Sequence, residues 1–419
     1  MKGSKPRARP GPRAGAAAGS RAGSRAGVRE LPAPSAAAWT ALGPYARGRL
    51  VEKALGQTLA LDVPWDVFAS QGIDDGTLLL LQHLPEGAPR SVLDLGCGYG
   101  ALGLPVASRW PQARCLLVDR DLLAVAASAH NAAALGLRNV EARPGLGYRD
   151  LGKESFDWVL CNVPARIGPR AIRHLLEGGR ALSATTRAVV IRDLCPVVEG
   201  LGLEGLRHLA RGARHDVYTL EPGAAQLDLA DEEIYARDQT EFMGLRLSRP
   251  HDASEDPAHQ RALTVLADSL PRRAPRRALA FRAGYGALPL FLKSRFPQAE
   301  IVAQERDLLG AAFLRRNART LALTLDVREA LFPAQGLEPG SFGLVVGELS
   351  SPAGPAVAAR ELKEASDLLL PGGEALILAS EKQEREWFPK AAPRGAGLTV
   401  LLRREGASVL RISRSRQPS

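Results

Sequence analysis

Residues 91–137 of the chain, SVLDLGCGYGALGLPVASRWPQARCLLVDRDLLAVAASAHNAAALGL, return as residues 277–323, RALAFRAGYGALPLFLKSRFPQAEIVAQERDLLGAAFLRRNARTLAL. The separation holds at 186 positions: Gly98, Tyr99, Gly100 and Ala101 recur as Gly284, Tyr285, Gly286 and Ala287. The same step carries Pro85 onto Pro271, Asp121 onto Asp307, Asn131 onto Asn317, Phe156 onto Phe342 and Gly168-Pro169 onto Gly354-Pro355. Chance does not hold one offset over such a length, so the chain is read as two copies of one fold. The expected organisation is a disordered basic arm over 1–40, a first domain over 41–221, a polar linker over 222–258, a second domain over 259–412 and a tail over 413–419.

Each copy alternates short apolar runs with longer segments of helical character, which predicts an α/β fold with a doubly wound, mainly parallel, Rossmann-like sheet. In the first copy SVLDLG, RCLLVD and FDWVLCNVP read as strands and AVVIRDL as a later one. LGLPVASRW reads as a helix with Pro105 in its first turn, and DLLAVAASAHNAAALGL as a helix closed by Gly136. Such sheets bind ligands at the carboxyl ends of their strands.

With 45% hydrophobic and 24% charged residues the chain is globular in balance, and it has no apolar run long enough to span a bilayer. No secretory signal is evident, although the acid-free, Ser-containing start leaves a transit peptide open. Four cysteines without C-x-x-C spacing argue against a zinc site and suit a reducing cytoplasm. The net charge of +10 divides unevenly: +7 over residues 1–30, −5 over 31–259 and +8 over 260–419. A polyanion gripped by both ends is one explanation, and a solvated surface is the other.

V-L-D-L-G-C-G-Y-G at 92–100 sets an acid inside a strand and then three glycines at alternate positions. Glycines let the backbone turn sharply and approach a ligand, and the acid ahead of them favours a cationic amino-acid moiety over a pyrophosphate. Asp119 ends the next strand, where a carboxylate can accept from both hydroxyls of a ribose. A nicotinamide dinucleotide would call for G-x-G-x-x-G, a different spacing. The pattern resembles the class I S-adenosylmethionine methyltransferases. The resemblance implies that Asp94, Gly96 and Gly98 surround the methionyl part of S-adenosyl-L-methionine, with Cys97, Gly100 and Arg120 in the same set, and that Asp119 holds the ribose. No acid stands where that family meets the adenine amine, which leaves Gly145 and Leu146 to do so through backbone.

Asn162-Val163-Pro164-Ala165-Arg166 follows the third predicted strand. An Asn amide oxygen and nearby backbone carbonyls at this place can accept from an exocyclic NH2 and aim its nitrogen at the methyl donor. No catalytic triad or metal-spaced histidine cluster is apparent. The loop resembles the N-P-P-[F/Y] motif of amide and amine methyltransferases. Together with VFASQGIDDGTLLLLQHLP at 67–85, it is similar to the small-domain rRNA guanine-N2 methyltransferases of the RsmC and RlmG type, which also carry two tandem copies, one of them active. Catalytic roles are thereby implied for Asn162, Val163 and Pro164, while Arg166 could contact a phosphate or simply be solvated. Two departures stand out: N-V-P-A lacks the second proline and the base-stacking aromatic, and the active copy is the first rather than the second. Phe68 could line the entrance or belong to the core, and Asp75 could reach the cofactor or simply sit in a helix's first turn.

In the second copy Ala280 replaces Asp94, Arg282 replaces Gly96 and Glu348 replaces Asn162, so cofactor binding is expected to be lost. The second copy carries a basic surplus in Arg272, Arg273, Arg276, Arg277, Arg315, Arg316 and Arg319, the last three on one face of a predicted helix; the resemblance implies that they help hold RNA, and structural support alone is the alternative. The function expected is methylation of guanine N2 in ribosomal RNA by a cytoplasmic enzyme with RNA as partner and no metal. The alternatives are methylation of a protein amide or a small amine, or a non-catalytic RNA-binding or ribosome-assembly protein; a nicotinamide-dependent reductase is more remote.

Overall fold

The apolar runs form strands where the sequence places them. The structure, a computed structural model, describes residues 33, 35–152, 154–164, 166–182, 188–192, 195–223, 227–253, 257–350, 353–391 and 397–414. Residues 1–32 of the expected arm, Ala165 and the tail beyond 414 lie outside the described residues.

The first half comprises α1 (Ala36–Leu42), a hairpin of β1 (Ala46–Ala54) and β2 (Gln57–Pro64), and α2 (Asp75–Gln82). Then come β3 (Ser91–Leu95), α3 (Gly103–Arg109), β4 (Arg114–Asp119), α4 (Leu122–Ala134), β5 (Val140–Pro144) and β6 (Trp158–Val163). It closes with α5 (Gly168–Leu182), β7 (Ala188–Arg192), α6 (Cys195–Gly200), β8 (Leu206–Arg211) and β9 (His215–Leu220). The sheet order is β5-β4-β3-β6-β7-β9-β8, with β3 to β7 parallel and the last two strands antiparallel. Neighbouring residues enter opposite cores, Val92, Leu117 and Leu160 on one face and Leu93, Leu116 and Val159 on the other. A sheet buried on both faces needs such unbroken apolar strands. Asp121 caps α4 by accepting from the Leu123 N–H at 2.9 Å.

The second half repeats the plan. Its hairpin is β10 (Ala236–Phe242) and β11 (Leu245–Pro250), followed by α7 (Pro257–Asp268), β12 (Arg277–Phe281), α8 (Ala287–Arg295) and β13 (Glu300–Glu305). After α9 (Leu308–Thr320) come β14 (Asp326–Glu329), β15 (Phe342–Glu348), α10 (Pro355–Asp367), β16 (Leu369–Ser380), α11 (Glu381–Ala391), β17 (Gly397–Arg404) and β18 (Ala407–Ser413). The order β14-β13-β12-β15-β16-β18-β17 matches the first sheet strand for strand.

The repeat also reaches further back than the sequence reading carried it. Asn131 bonds the backbone N–H and carbonyl of Asp62 and the carbonyl of Tyr99; Asn317 does the same with Ser248 and Tyr285. Residues 236–250 of the expected linker over 222–258 are therefore the second copy's own hairpin, seated on α9. Its polar composition misleads because one face of a two-stranded hairpin meets solvent, while Phe242 and Leu247 turn inward.

The two halves meet around a pseudo-two-fold axis between Asp121 and Asp307, which form an isolated antiparallel bridge. The Leu122 N–H donates to the Arg306 carbonyl at 3.2 Å, and the Leu308 N–H to the Arg120 carbonyl at 2.9 Å. Side chains obey the same symmetry: Arg120 pairs with Asp307 and Asp252, and Arg306 with Asp121 and Asp66. A two-fold contact uses equivalent residues twice, so each arginine serves the opposite half. Leu308, Leu309, Ala312 and Phe313 of α9 enter the core beneath β4 and β6.

Three of the seven arginines expected to make a positive face on the second half are paired with carboxylates. Arg315 pairs with Glu329 at 2.7 Å, Arg277 with Glu300 at 2.8 Å, and Arg316 with Glu233. Glu329 and Glu300 reach those arginines from β14 and β13, and Glu233 from the short turn of helix ahead of β10. No helix among the described residues is long and apolar enough to cross a membrane.

Candidate active site

A cavity of about 630 Å³ opens at the carboxyl ends of β3, β4 and β6. Its size falls among small-molecule sites, roughly 300–1,000 Å³. Asp94, Gly96, Cys97, Gly98, Asp119, Arg120, Gly145, Asn162, Val163, Pro164 and Arg166 all line it, so the structure gathers nearly the whole expected set at one place. Gly100 lies just behind, against Leu104 at the turn into α3.

Gly96 and Gly98 have φ of +78° and +58°, and a Cβ on either would meet no atom within 4 Å. Their left-handed backbone is what demands glycine, and the space before them is the cavity. At Gly145 the constraint is contact instead: a Cβ would lie 2.7 Å from Cγ1 of Val118.

Asp94 is buried and its Oδ2 accepts from the Gly103 N–H at 2.7 Å. Burial pushes its carboxyl up to about 7 against the pull of that N–H, and the neighbouring Asp119 adds to the rise. Such a carboxyl is primed for a cationic partner that would restore its charge. Asp119 accepts from Gly98 N–H on Oδ2 and from Asp121 N–H on Oδ1, each at 2.9 Å, and so braces the glycine loop. Burial raises it, with the two N–H groups opposing. Cys97 is buried and its thiol is pushed well up by that burial, which leaves it no nucleophilic character.

Arg120 departs from the expectation. It borders the cavity, but its guanidinium is engaged by Asp252 and, at 3.4 Å, by Asp307, so it joins the two halves. The resemblance placed it in the cofactor set, and only the second half's position reveals its partners. The Oδ2 of Asp150 lies 3.9 Å from where a Cβ on Gly145 would sit, but Asp150 pairs with Arg149 and is not among the residues that line the cavity.

At Asn162 two residues overlooked in the sequence take control. Its Nδ2 donates to Asp74 Oδ2 at 3.0 Å and to Thr77 Oγ1 at 3.1 Å. A carboxylate only accepts, so the amide nitrogen must face Asp74, and both its protons are spent. Oδ1 is what Asn162 has left to offer a ligand. Asp74 is also the N-cap of α2, accepting from Gly76 N–H at 3.0 Å, and His215 Nε2 stands 3.6 Å from it. The cap signal, an Asp just before an apolar helix, was available in DDGTLLLL, whereas its reach to β6 was not. Asp75, the residue singled out there, is exposed in the first helical turn. Val163 is buried in the core, Pro164 is exposed, and Arg166 is exposed at the cavity rim. Phe68 also lines the cavity and is exposed rather than part of the core.

The second half shows what its substitutions did. Arg282 adopts φ +51°, the left-handed backbone that Gly96 has in the first half, and its guanidinium donates to Glu361 at 2.8 Å and Asp66 at 3.3 Å. Leu331 and Phe332 stand where the first half has Gly145 and Leu146, and what remains near Arg282 is a void of about 20 Å³ and another of about 50 Å³. Glu348 is bonded by His259 Nε2 at 2.8 Å. No group of three or more His, Cys, Asp or Glu among the described residues could hold a metal ion.

Strand order, glycine loop and ribose-type carboxylate define a class I, Rossmann-like methyltransferase fold. Residues 60–184 match the methyltransferase small domain family. The chain is 46% identical over 101 residues to ribosomal RNA large subunit methyltransferase G of Ectopseudomonas mendocina, and 45% identical over 102 residues to that of Pseudomonas syringae pv. syringae. These alignments take in 24% of this chain and span only 27% of those relatives' length. Among solved structures, the Thermus thermophilus 16S rRNA N2 G1207 methyltransferase (RsmC), in complex with AdoMet and guanosine, superposes with a TM-score of 0.62 at 20% identity, covering 87% of this chain and 98% of that one.

Proposed function

We propose that the protein is an S-adenosyl-L-methionine-dependent methyltransferase acting on the exocyclic N2 of a guanine in ribosomal RNA. The observation that carries this is Asn162: with both amide protons held by Asp74 and Thr77, it presents an acceptor, and an acceptor selects an incoming N–H donor. The similarity to rRNA methyltransferases supports RNA as the polymer that bears it.

The residues present suit the cofactor, because the glycine cradle opens onto empty space beside the buried Asp94 and half-buried Asp119 carboxylates. Bound there, the cofactor supplies a methyl group on a sulfonium sulfur. Asp94 would pair with its ammonium, Asp119 with its ribose hydroxyls, and the Gly145–Leu146 backbone with its adenine. Asn162 Oδ1 and the carbonyls of the Val163-Pro164 turn would accept from the amine and fix its plane in line with the methyl. Holding two reactants in line supplies much of the acceleration in a displacement that needs no covalent enzyme intermediate. In this reading residues 41–221 form the active half and 236–412 its brace, while Arg166 and the basic arm contact RNA phosphates in a salt-sensitive way.

The test is transfer of labelled methyl to separated rRNA, tRNA and protein from a deletion strain, followed by nucleoside analysis. N2-methylguanosine in rRNA is expected. Asn162→Ala should lower turnover by about 10²–10³ while cofactor binding persists. Label in protein alone would move the substrate to an amide, and wild-type turnover in the variant would remove Asn162 from the chemistry.

A further inference from the structure

The loop between β2 and α2 presents an aromatic ring to the cavity and holds it there. Seven large apolar side chains are exposed among the described residues, and Phe68, at 64% exposure, is the one that lines the cavity. Its neighbours Trp65, Val67 and Ala69 pack against the core and Phe68 does not. Asp66 and Ala69, on either side, have φ of +63° and +57°, a conformation non-glycine residues adopt at a cost.

Three sets of bonds maintain that backbone. The Tyr99 hydroxyl, from the glycine loop, lies 3.3 Å from the Ala69 carbonyl and 3.2 Å from that of Gly72. Arg47 donates to the carbonyl and hydroxyl of Ser70 and lies over the Trp65 ring. The carboxylate of Asp66 takes Ser350 Oγ at 2.7 Å and Arg282 and Arg306 at 3.3 Å each, all from the second half. A loop pinned on both sides of an uncovered aromatic displays that ring to a ligand. The acceptor loop N-V-P-A carries no aromatic, and the position 186 residues after Phe68 is Ser254, so the inactive half lacks the ring along with the cofactor residues.

Resting on the methyltransferase reading above, we propose that Phe68 is the platform on which the acceptor base stacks, and that the second half serves the reaction by holding the Phe68 loop through Asp66. The face of a purine and the Phe68 ring would lie together while Asn162 Oδ1 receives the exocyclic amine. The substrate class is thereby narrowed to amines borne on flat aromatic heterocycles, which a protein amide is not.

The experiment uses the full chain with Phe68→Ala, Phe68→Tyr and Phe68→Trp. With rRNA as substrate, Phe68→Ala should raise KM roughly 5- to 150-fold, the range of one base–aromatic stack, with cofactor Kd unchanged and Phe68→Tyr restoring KM. An unchanged KM would overturn the proposal, and so would an equal loss of cofactor affinity measured without RNA, since Phe68 would then be a cofactor wall. Guanosine titrated into Phe68→Trp should quench the new indole relative to the parent protein whether or not methyl transfer is detected. Quenching without any transfer would sink the methyltransferase reading and keep the platform; transfer without quenching would do the reverse.

Discussion

Glu361→Ala is the perturbation that bears most directly on how the two halves are joined. Glu361 is 1% exposed and lies on α10 of the second half. Its Oε1 accepts from Arg282 at 2.8 Å and from the Tyr45 hydroxyl at 2.6 Å, and its Oε2 from the Ser350 N–H at 3.3 Å. Tyr45 belongs to the first half and is 1% exposed, and burial with the Glu361 charge drives its hydroxyl far above the usual tyrosine range. Removing one member of a buried ion pair costs about 3–5 kcal/mol, because the partner charge is stranded. The Tyr45 hydroxyl, left without an acceptor, adds about 1–3 kcal/mol. Arg282 retains Asp66, which trims the first figure, and the two losses share one site and do not add. The expected destabilisation is about 3–5 kcal/mol, a large part of the roughly 5–15 kcal/mol that holds a typical fold. Glu361→Gln keeps an acceptor for Tyr45 and should lose less. Asp367→Ala, which breaks an exposed i,i+4 pair with Lys363, should cost about 0.3–0.5 kcal/mol. Urea unfolding followed by tryptophan fluorescence would rank the three. A Glu361→Ala midpoint no lower than that of Asp367→Ala would refute the reasoning.

Two further outcomes follow from the first half. Burial holds the Asp94 carboxyl at about 7, above its unfolded value near 3.8, so between those pH values the native state carries the extra proton. Its contribution is present below about pH 4 and is lost as pH rises through 7, so the unliganded protein should weaken over that window. The carboxylate is the form that pairs with an ammonium, so cofactor affinity should climb to about pH 7 and then level, and Asp94→Asn should flatten both curves in calorimetric titration. Gly145→Val puts a side chain within 2.7 Å of Val118 Cγ1, in the wall of the cavity; cofactor Kd should rise at least about tenfold, with about 1–3 kcal/mol of overpacking in the unfolding curve. An unchanged Kd would show that the adenine lies elsewhere.

The chain's own order of residues determined much of this protein, and for a local reason. Strand and helix periods, the 92–100 glycine run and the 186-residue repeat are written in neighbouring residues, so β3, α3, β4, α4 and β6 and the glycine, acid and Asn162 positions of the cavity were legible. The substitutions at Ala280 and Arg282 were legible too, and around Arg282 the structure leaves only voids of about 20 and 50 Å³. What only tertiary structure decided involves partners far apart in sequence. Asp74 and Thr77 reach Asn162 across more than eighty residues because α2 lies alongside β7 and β9. Arg120 looked like a ligand contact and Arg282 like a substitution that removes cofactor binding; the pseudo-two-fold docking makes both, together with Arg306, ties between the halves. Charge along a chain records composition, whereas pairing depends on which surfaces meet, and that is why Arg315 and Arg316 read as a free positive face until Glu329 and Glu233 were seen beside them.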